Sequence, residues 1–158
     1  MQRNPITPEG HRRLTEELRH CKSVLRPQVV KDIEEARAHG DLSENAEYDT
    51  AKDRQGLLEA RINDLENRVA TAEVIDISKL PPTDKVIFGA KVQLLDLDTE
   101  NEVEYRLVSD YEADVKSGLI FYGSPIGRSL IGKEAGDEVK VKTPKGSRAF
   151  EILDVISG

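Results

Sequence analysis

Two apolar stripes separated by a glycine-led break constrain this chain more than any other feature. Leu14, Leu18, Cys21, Leu25, Val29, Ile33 and Ala36 recur every three or four residues; after His39-Gly40 the pattern resumes as Tyr48, Ala51, Gln55, Leu58, Ile62, Leu65, Val69 and Ala72. Such spacing puts each set on one face of an α-helix. The second set alternates by three and four, a heptad seam, whereas the first runs closer to an eleven-residue repeat and predicts little left-handed supercoiling there. Thr7-Pro8-Glu9 reads as the start of the first helix, with Thr7 as N-cap and Pro8 in the first helical position. Pro27 falls inside that helix and is expected to remove a backbone hydrogen bond and kink it. Two helices of about thirty residues joined by a few residues must run antiparallel, and each spans roughly 45 Å at 1.5 Å per residue.

The composition agrees with an exposed hairpin. The 158 residues are 37% hydrophobic and 34% charged but only 4% aromatic, with no Trp, a poor endowment for one large core. The net charge is −7, and acids outnumber bases in both halves. Neither half is therefore suited to gripping a nucleic-acid duplex, which requires neutralising phosphates. A lone cysteine, Cys21, excludes an intramolecular disulfide and a cysteine-rich zinc site, and its place in the first stripe makes it a core filler. His11, His20 and His39 have neither an i,i+4 partner nor cysteine company, so they support neither a zinc site nor a nucleophilic triad. The N-terminus lacks the apolar run of a signal peptide, and no window approaches the roughly 18 apolar residues of a membrane span. A soluble, cytoplasmic protein with no membrane partner is expected.

Past residue 74 the vocabulary changes. Ile75 to Asp84 carries Pro81-Pro82 and little periodicity, as a linker does. Lys91 to Leu94, Val103 to Val108, Glu138 to Lys142 and Ala149 to Val155 then alternate as strands with one wet face. Thr143-Pro144-Lys145-Gly146 is a turn between the last two strands, and Ser124 to Lys133 has room for a short helix. The expected fold class is α+β: a helical hairpin over 1–74, a linker over 75–84, and a β-rich unit over 85–158 built on a mostly antiparallel sheet with a helix.

The segment between the stripes, Gly40-Asp41-Leu42-Ser43-Glu44-Asn45, has two readings. Asp41 and Glu44 fit a capping box at the start of the second helix, with Gly40 ending the first. Glu47 and Asp49 extend the acidity beyond what a cap needs. Carboxylates one helical turn apart can also share Mg²⁺, which prefers one or two carboxylates together with phosphate oxygens and water. Exposed on a tip, such a pair would hold the ion weakly and become useful only inside another protein's acidic pocket. Arg37 and Lys52 flank the segment and could meet RNA phosphates, although balancing the local acids is the simpler account. The series Lys140, Lys142, Lys145 and Arg148 reads as the wet face of a hairpin.

The stretch from Glu35 to Lys52 strongly resembles the tip signature of the bacterial Gre-type transcript-cleavage factors. The likeness continues through Val86-Ile87-Phe88-Gly89-Ala90 and through Ser124-Pro125-Ile126-Gly127-Arg128-Ser129-Leu130-Ile131-Gly132-Lys133, and so covers essentially the whole chain. The resemblance implies an N-terminal coiled coil that enters the secondary channel of RNA polymerase, and a C-terminal domain like the FK506-binding proteins that docks near the channel entrance. By motif position it implies that Asp41 and Glu44 help the polymerase hold Mg²⁺ and activate water, so that backtracked nascent RNA is cut near its 3′ end. The protein would then be a monomeric accessory factor rather than an enzyme. Ser124, Pro125, Ile126 and Gly127 are the candidate docking residues, with a Pro/Gly turn serving the fold as the competing account.

Acidity favours the A-type branch of that family over its more basic B-type relatives. A regulator that occupies the channel without promoting cleavage shares the architecture, but retention of both Asp41 and Glu44 favours cleavage. A peptidyl-prolyl isomerase would need an aromatic-lined pocket, for which the second half offers only Phe88, Tyr105, Tyr111, Phe121, Tyr122 and Phe150.

Overall fold

The structure, a computed structural model, describes residues 2–39 and 45–156. It divides into two units, Met1–Gln2 with His11–Ala72, and Arg3–Gly10 with Glu73–Gly158. The N-terminal strand and the first turn of the first helix therefore group with the second half of the chain.

In the first unit, helix α1 (Pro8–His20, whose first turn lies in the other unit) runs through a π-helical turn, Cys21–Leu25, into α2 (Arg26–Ala38). His20, Leu25 and Arg26 all keep right-handed helical backbone angles, so the helix is continuous across the turn. Pro27 lies in the first turn of α2. Its ring would clash with the carbonyl four residues back, and widening the preceding turn relieves the clash; the Arg26 N–H reaches the Cys21 carbonyl, five residues back. The expected disturbance at Pro27 thus takes the form of a π-turn.

That turn changes which residue faces the seam. Leu14, Cys21, Val29, Ile33 and Ala36 are buried as their spacing predicts, but Leu25 is 38% exposed. A π-turn advances each residue by less than an α-turn does. Leu25 therefore lags out of the seam, and Arg26 is half-buried in its stead. Its guanidinium meets Glu59 through two hydrogen bonds, of 3.0 and 2.8 Å.

Helix α3 (Ala46–Thr71) returns antiparallel. The direction is written in the cross-helix pairs, whose numbers rise on one arm as they fall on the other: Glu17 with Arg61, Arg26 with Glu59, Asp32 with Arg54. Ala51, Ile62 and Leu65 are buried at heptad spacing. Tyr48 and Leu58 pack against the cluster of Val29, Ile33 and Ala51, so the Tyr48 ring lies in the seam.

The second unit opens with β1 (Asn4–Ile6), which pairs with β2 (Ala72–Val74) in a two-stranded sheet that sequence alternation did not reveal. Where a featureless linker was expected, Ile77–Lys79 forms a 3₁₀ turn capped by Asp76, whose carboxylate accepts from the Ser78 N–H and hydroxyl at 3.1 and 2.6 Å. The main sheet has five strands: β3 (Lys91–Asp96), β4 (Glu102–Val108), β5 (Leu119–Phe121), β6 (Glu138–Thr143) and β7 (Gly146–Ile156). Their spatial order is β5-β4-β3-β7-β6. All pairs are antiparallel except β4–β5, which is parallel, so the sheet is mixed.

Val92, Leu94, Leu107, Phe150 and Ile152 form the centre of the core on one face of this sheet, closed by Leu130 of helix α4 (Pro125–Leu130). The turn between β6 and β7 falls where it was expected, with Thr143 opposite Gly146 and the Thr143 hydroxyl donating to the Gly146 carbonyl at 2.6 Å.

Candidate functional site

The acidic segment is framed by the ends of α2 and α3. Asp41 and Glu44 themselves lie outside the described residues, but the frame is described. Asn45 is the N-cap of α3: its Oδ1 accepts the Tyr48 N–H at 3.1 Å, while its Nδ2 donates to the Ala36 carbonyl at 2.6 Å. The capping box expected at Asp41 and Glu44 lies outside the described residues. An amide carries both a donor and an acceptor, so Asn45 can cap one helix and grip the other at once.

Beside this tie, His39 Nδ1 lies 3.3 Å from Glu47 Oε2. Asp32, Glu35, His39, Glu47 and Arg54 line an open cavity of about 410 Å³ between the arms. Arg37 is exposed, and Lys52 donates to Gln55 at 3.1 Å on the surface of α3. Among the described residues no group of three or more His, Cys, Asp or Glu side chains could hold a metal ion. None of the described helices is long and apolar enough to cross a membrane.

The other candidate residues gather at the start of α4. Ser124 is its N-cap, accepting the Gly127 N–H at 3.1 Å and donating to the Phe121 carbonyl at 2.7 Å. A Cβ on Gly127 would lie 2.6 Å from the Tyr122 carbonyl oxygen, so only glycine fits there. Ser124 and Gly127 therefore build the turn, while Pro125 is exposed and Ile126 is half-buried.

Ile126 lines a second cavity, of about 290 Å³, with Tyr105, Val115, Ile120, Phe121 and Phe150. Its walls are apolar and its rim carries Val115, 71% exposed on a 3₁₀ turn (Val115–Ser117). Arg148 also borders it, pairing with Asp96 and stacking 5.1 Å above the Phe150 ring. The strand register puts Arg148 opposite buried Val141, so it lies on the inner face, unlike Lys140 and Lys142. The assignment of all four cations to one wet face is corrected for Arg148. The Asp96 carboxyl, hydrogen-bonded by Arg148 and by the N–H groups of Asp98 and Thr99, is held below the usual carboxylate range against the opposing effect of burial.

Two further motif stretches are stitched together through the backbone. The Val86 N–H donates to the Lys133 carbonyl and the Gly132 N–H returns to the Val86 carbonyl, both at 2.8 Å. Sequence reasoning missed Asn45, although asparagine just before an apolar run is a recognised N-cap signal.

The molecule thus combines a helical hairpin, its arms tied on either side of an acidic segment, with a small mixed-sheet unit carrying an apolar cavity beside a capped short helix. That is the construction of a two-unit α+β protein. Residues 4–74 match the model of the N-terminal domain of a transcription elongation factor, and residues 81–157 match that of the C-terminal domain of GreA/GreB transcription elongation factors. The chain is 53% identical over 156 residues to the transcription elongation factor GreA of Hyphomonas neptunium, covering 99% of each chain. It is 52% identical over 151 residues to that of Syntrophotalea carbinolica, covering 96% of this chain and 95% of the relative. It also aligns with the crystal structure of GreA factor homolog 1 of Thermus thermophilus, at 26% identity over 98% of this chain and 99% of that one, with a TM-score of 0.45. The chain belongs to the GreA/GreB family of bacterial transcription elongation factors.

Proposed function

We propose that the chain acts on RNA polymerase as a cleavage-stimulating elongation factor, inserting the hairpin end into the secondary channel. There Asp41 and Glu44 add carboxylate oxygens to an acidic site that the polymerase already supplies. Asp and Glu are the hard oxygen donors that Mg²⁺ prefers. When bound, the ion would activate water for hydrolysis of the backtracked nascent RNA near its 3′ end. The chain's own contribution is to carry the two acids and hold them in place. In this reading it is a cytoplasmic, monomeric accessory factor, and the polymerase is the enzyme.

The observation that carries this reading is the tie from Asn45 to Ala36, which holds the ends of two long antiparallel helices together on either side of the acidic segment. Helix α3 alone has 26 residues, a reach of about 39 Å at 1.5 Å per residue. Docking is assigned to the α4 turn, where Pro125 is exposed and Ile126 borders the apolar cavity.

The test is RNA release by stalled, backtracked polymerase with wild type, Asp41→Ala and Glu44→Ala. Both variants should bind polymerase as wild type does and lose most of the stimulated cleavage. Wild-type cleavage by both would remove the metal role. If the wild type binds and stimulates no cleavage, the protein is instead a channel-occupying regulator.

A further inference from the structure

The cavity beside α4 has apolar walls, yet a cation borders it. Val115, Ile120, Phe121, Ile126, Val141 and Phe150 supply most of the lining, and Arg148 completes it. The Arg148 guanidinium stacks 5.1 Å above the Phe150 ring and pairs with Asp96 through a single nitrogen, Nη2. Asp96 is 2% exposed and is itself fixed by the N–H groups of Asp98 and Thr99, at 2.9 and 3.3 Å. The Arg148 side chain stays 48% exposed, and its Nε and Nη1 have no acceptor among the described residues. Of the hydroxyls along the cavity, those of Ser124 and Thr143 already donate to the Phe121 and Gly146 carbonyls at 2.7 and 2.6 Å. Tyr105 and Arg148 are the lining residues with donors to spare.

Apolar walls with a few placed polar groups are the usual form of a ligand cavity. Here the placed group is a guanidinium, held by Asp96 at one nitrogen and open along the rest of its donor fork, which matches the paired oxygens of a carboxylate. The surrounding charge favours the same guest. Residues 139–150 carry Lys140, Lys142, Lys145 and Arg148 and no acid, in a chain of net charge −7. The volume of about 290 Å³ corresponds to about ten water molecules at roughly 30 Å³ each, which is room for a guest of about ten non-hydrogen atoms.

We propose that this cavity binds a small monocarboxylate with an apolar body, of the kind a medium-chain fatty acid provides. The chain lies against Ile120, Ile126 and Phe150, and Arg148 takes the carboxylate. A neutral guest of the same shape would cover the guanidinium without giving its open donors an acceptor, which is costly for a polar group taken out of water. An inorganic anion would satisfy Arg148 and leave the apolar walls unfilled. Asp96 touches no ligand in this scheme; it holds the guanidinium in place. Nothing in the site depends on the cleavage reading, and all of its residues lie in the second unit.

The experiment titrates the full-length protein with octanoate and with octanol, followed by backbone amide shifts in NMR spectra. Octanoate should saturate at a concentration of about 1 mM or below, with shifts centred on Val115, Ile120, Ile126 and Phe150, and should bind about tenfold more tightly than octanol. The double variant Asp96→Asn with Arg148→Met removes both charges together, so that no carboxylate is left buried without its partner. It should bind octanol within about twofold of wild type and lose the preference for octanoate. An absence of saturable shifts, shifts scattered away from the cavity, or equal affinity of wild type for acid and alcohol overturns the site. So does a double variant that keeps the preference. Should that variant not fold, the wild-type comparison of octanoate with octanol decides alone.

Discussion

Asn45 joins the two arms of the hairpin: its Nδ2 donates to the Ala36 carbonyl at the end of α2, 2.6 Å away, while its Oδ1 caps α3 through the Tyr48 N–H. The two halves of one amide therefore have different duties, and substitution separates them. Asn45→Asp keeps an acceptor for the cap and loses the donor to Ala36. Asn45→Ala loses both and should destabilise the protein by about 1–2 kcal/mol in urea denaturation. Asn45→Asp should cost less stability than Asn45→Ala, yet both should reduce stimulated cleavage, because both release α2 from the start of α3. Equal loss of stability in the two variants would show that the cap contributes nothing.

Gly56 lies in the exposed middle of α3, and a Cβ there would meet nothing within 4 Å. Glycine costs a helix interior backbone entropy that alanine does not. Gly56→Ala should therefore stabilise the protein by about 0.5–1 kcal/mol, seen as a higher urea midpoint with an unchanged slope.

Gly10 behaves in the opposite way because its Cβ would meet Glu112. Gly10→Ala should destabilise wild type, and the cost should largely vanish in a Glu112→Ala background where the overlap is gone. The coupling in a double-mutant cycle should be about 1–3 kcal/mol. An additive cycle would place the strain elsewhere.

Asp96 gives the stability of the second unit an acid limb. Its ordinary carboxyl value is 3.8, and its folded value is lower because of the Arg148 hydrogen bond. A group depressed on folding binds more protons in the unfolded chain, so its contribution is complete above 3.8 and is lost as the pH falls through the lower folded value. The stability difference between wild type and Asp96→Asn should be constant near neutrality and shrink below about pH 4. Denaturation curves taken across that range read it directly, and a difference that grows on acidification would reverse the sign.

The helices were legible because their cause is local. Period 3–4 in apolar residues needs only neighbours on one helix face, and buried Ile33, Ala51, Ile62 and Leu65 follow it. The four longer strands and the β6–β7 turn were legible for the same reason, since alternation and turn chemistry act over a few residues. Strand β5 was not: three residues are too few for a period, and its parallel pairing with β4 is made across an intervening loop. Of the candidate docking residues, the capping role of Ser124 is written locally. That Ile126 borders a cavity with Tyr105 and Phe150 depends on strands distant in sequence.

The amino-acid order alone settles the antiparallel hairpin, the α+β division, the acidic segment between the arms and the family signature, because each rests on periodicity, charge or motif within a short window. Only the folded chain decides that Arg26 replaces Leu25 at the seam, that the Asn45 amide both caps α3 and reaches Ala36, and that Glu112 closes over Gly10. Those outcomes depend on a change of helical phase before Pro27, on one amide reaching two helices, and on a carboxylate meeting a partner 105 residues away. Each is a relation in space between groups whose separate sequence contexts contain no trace of the other.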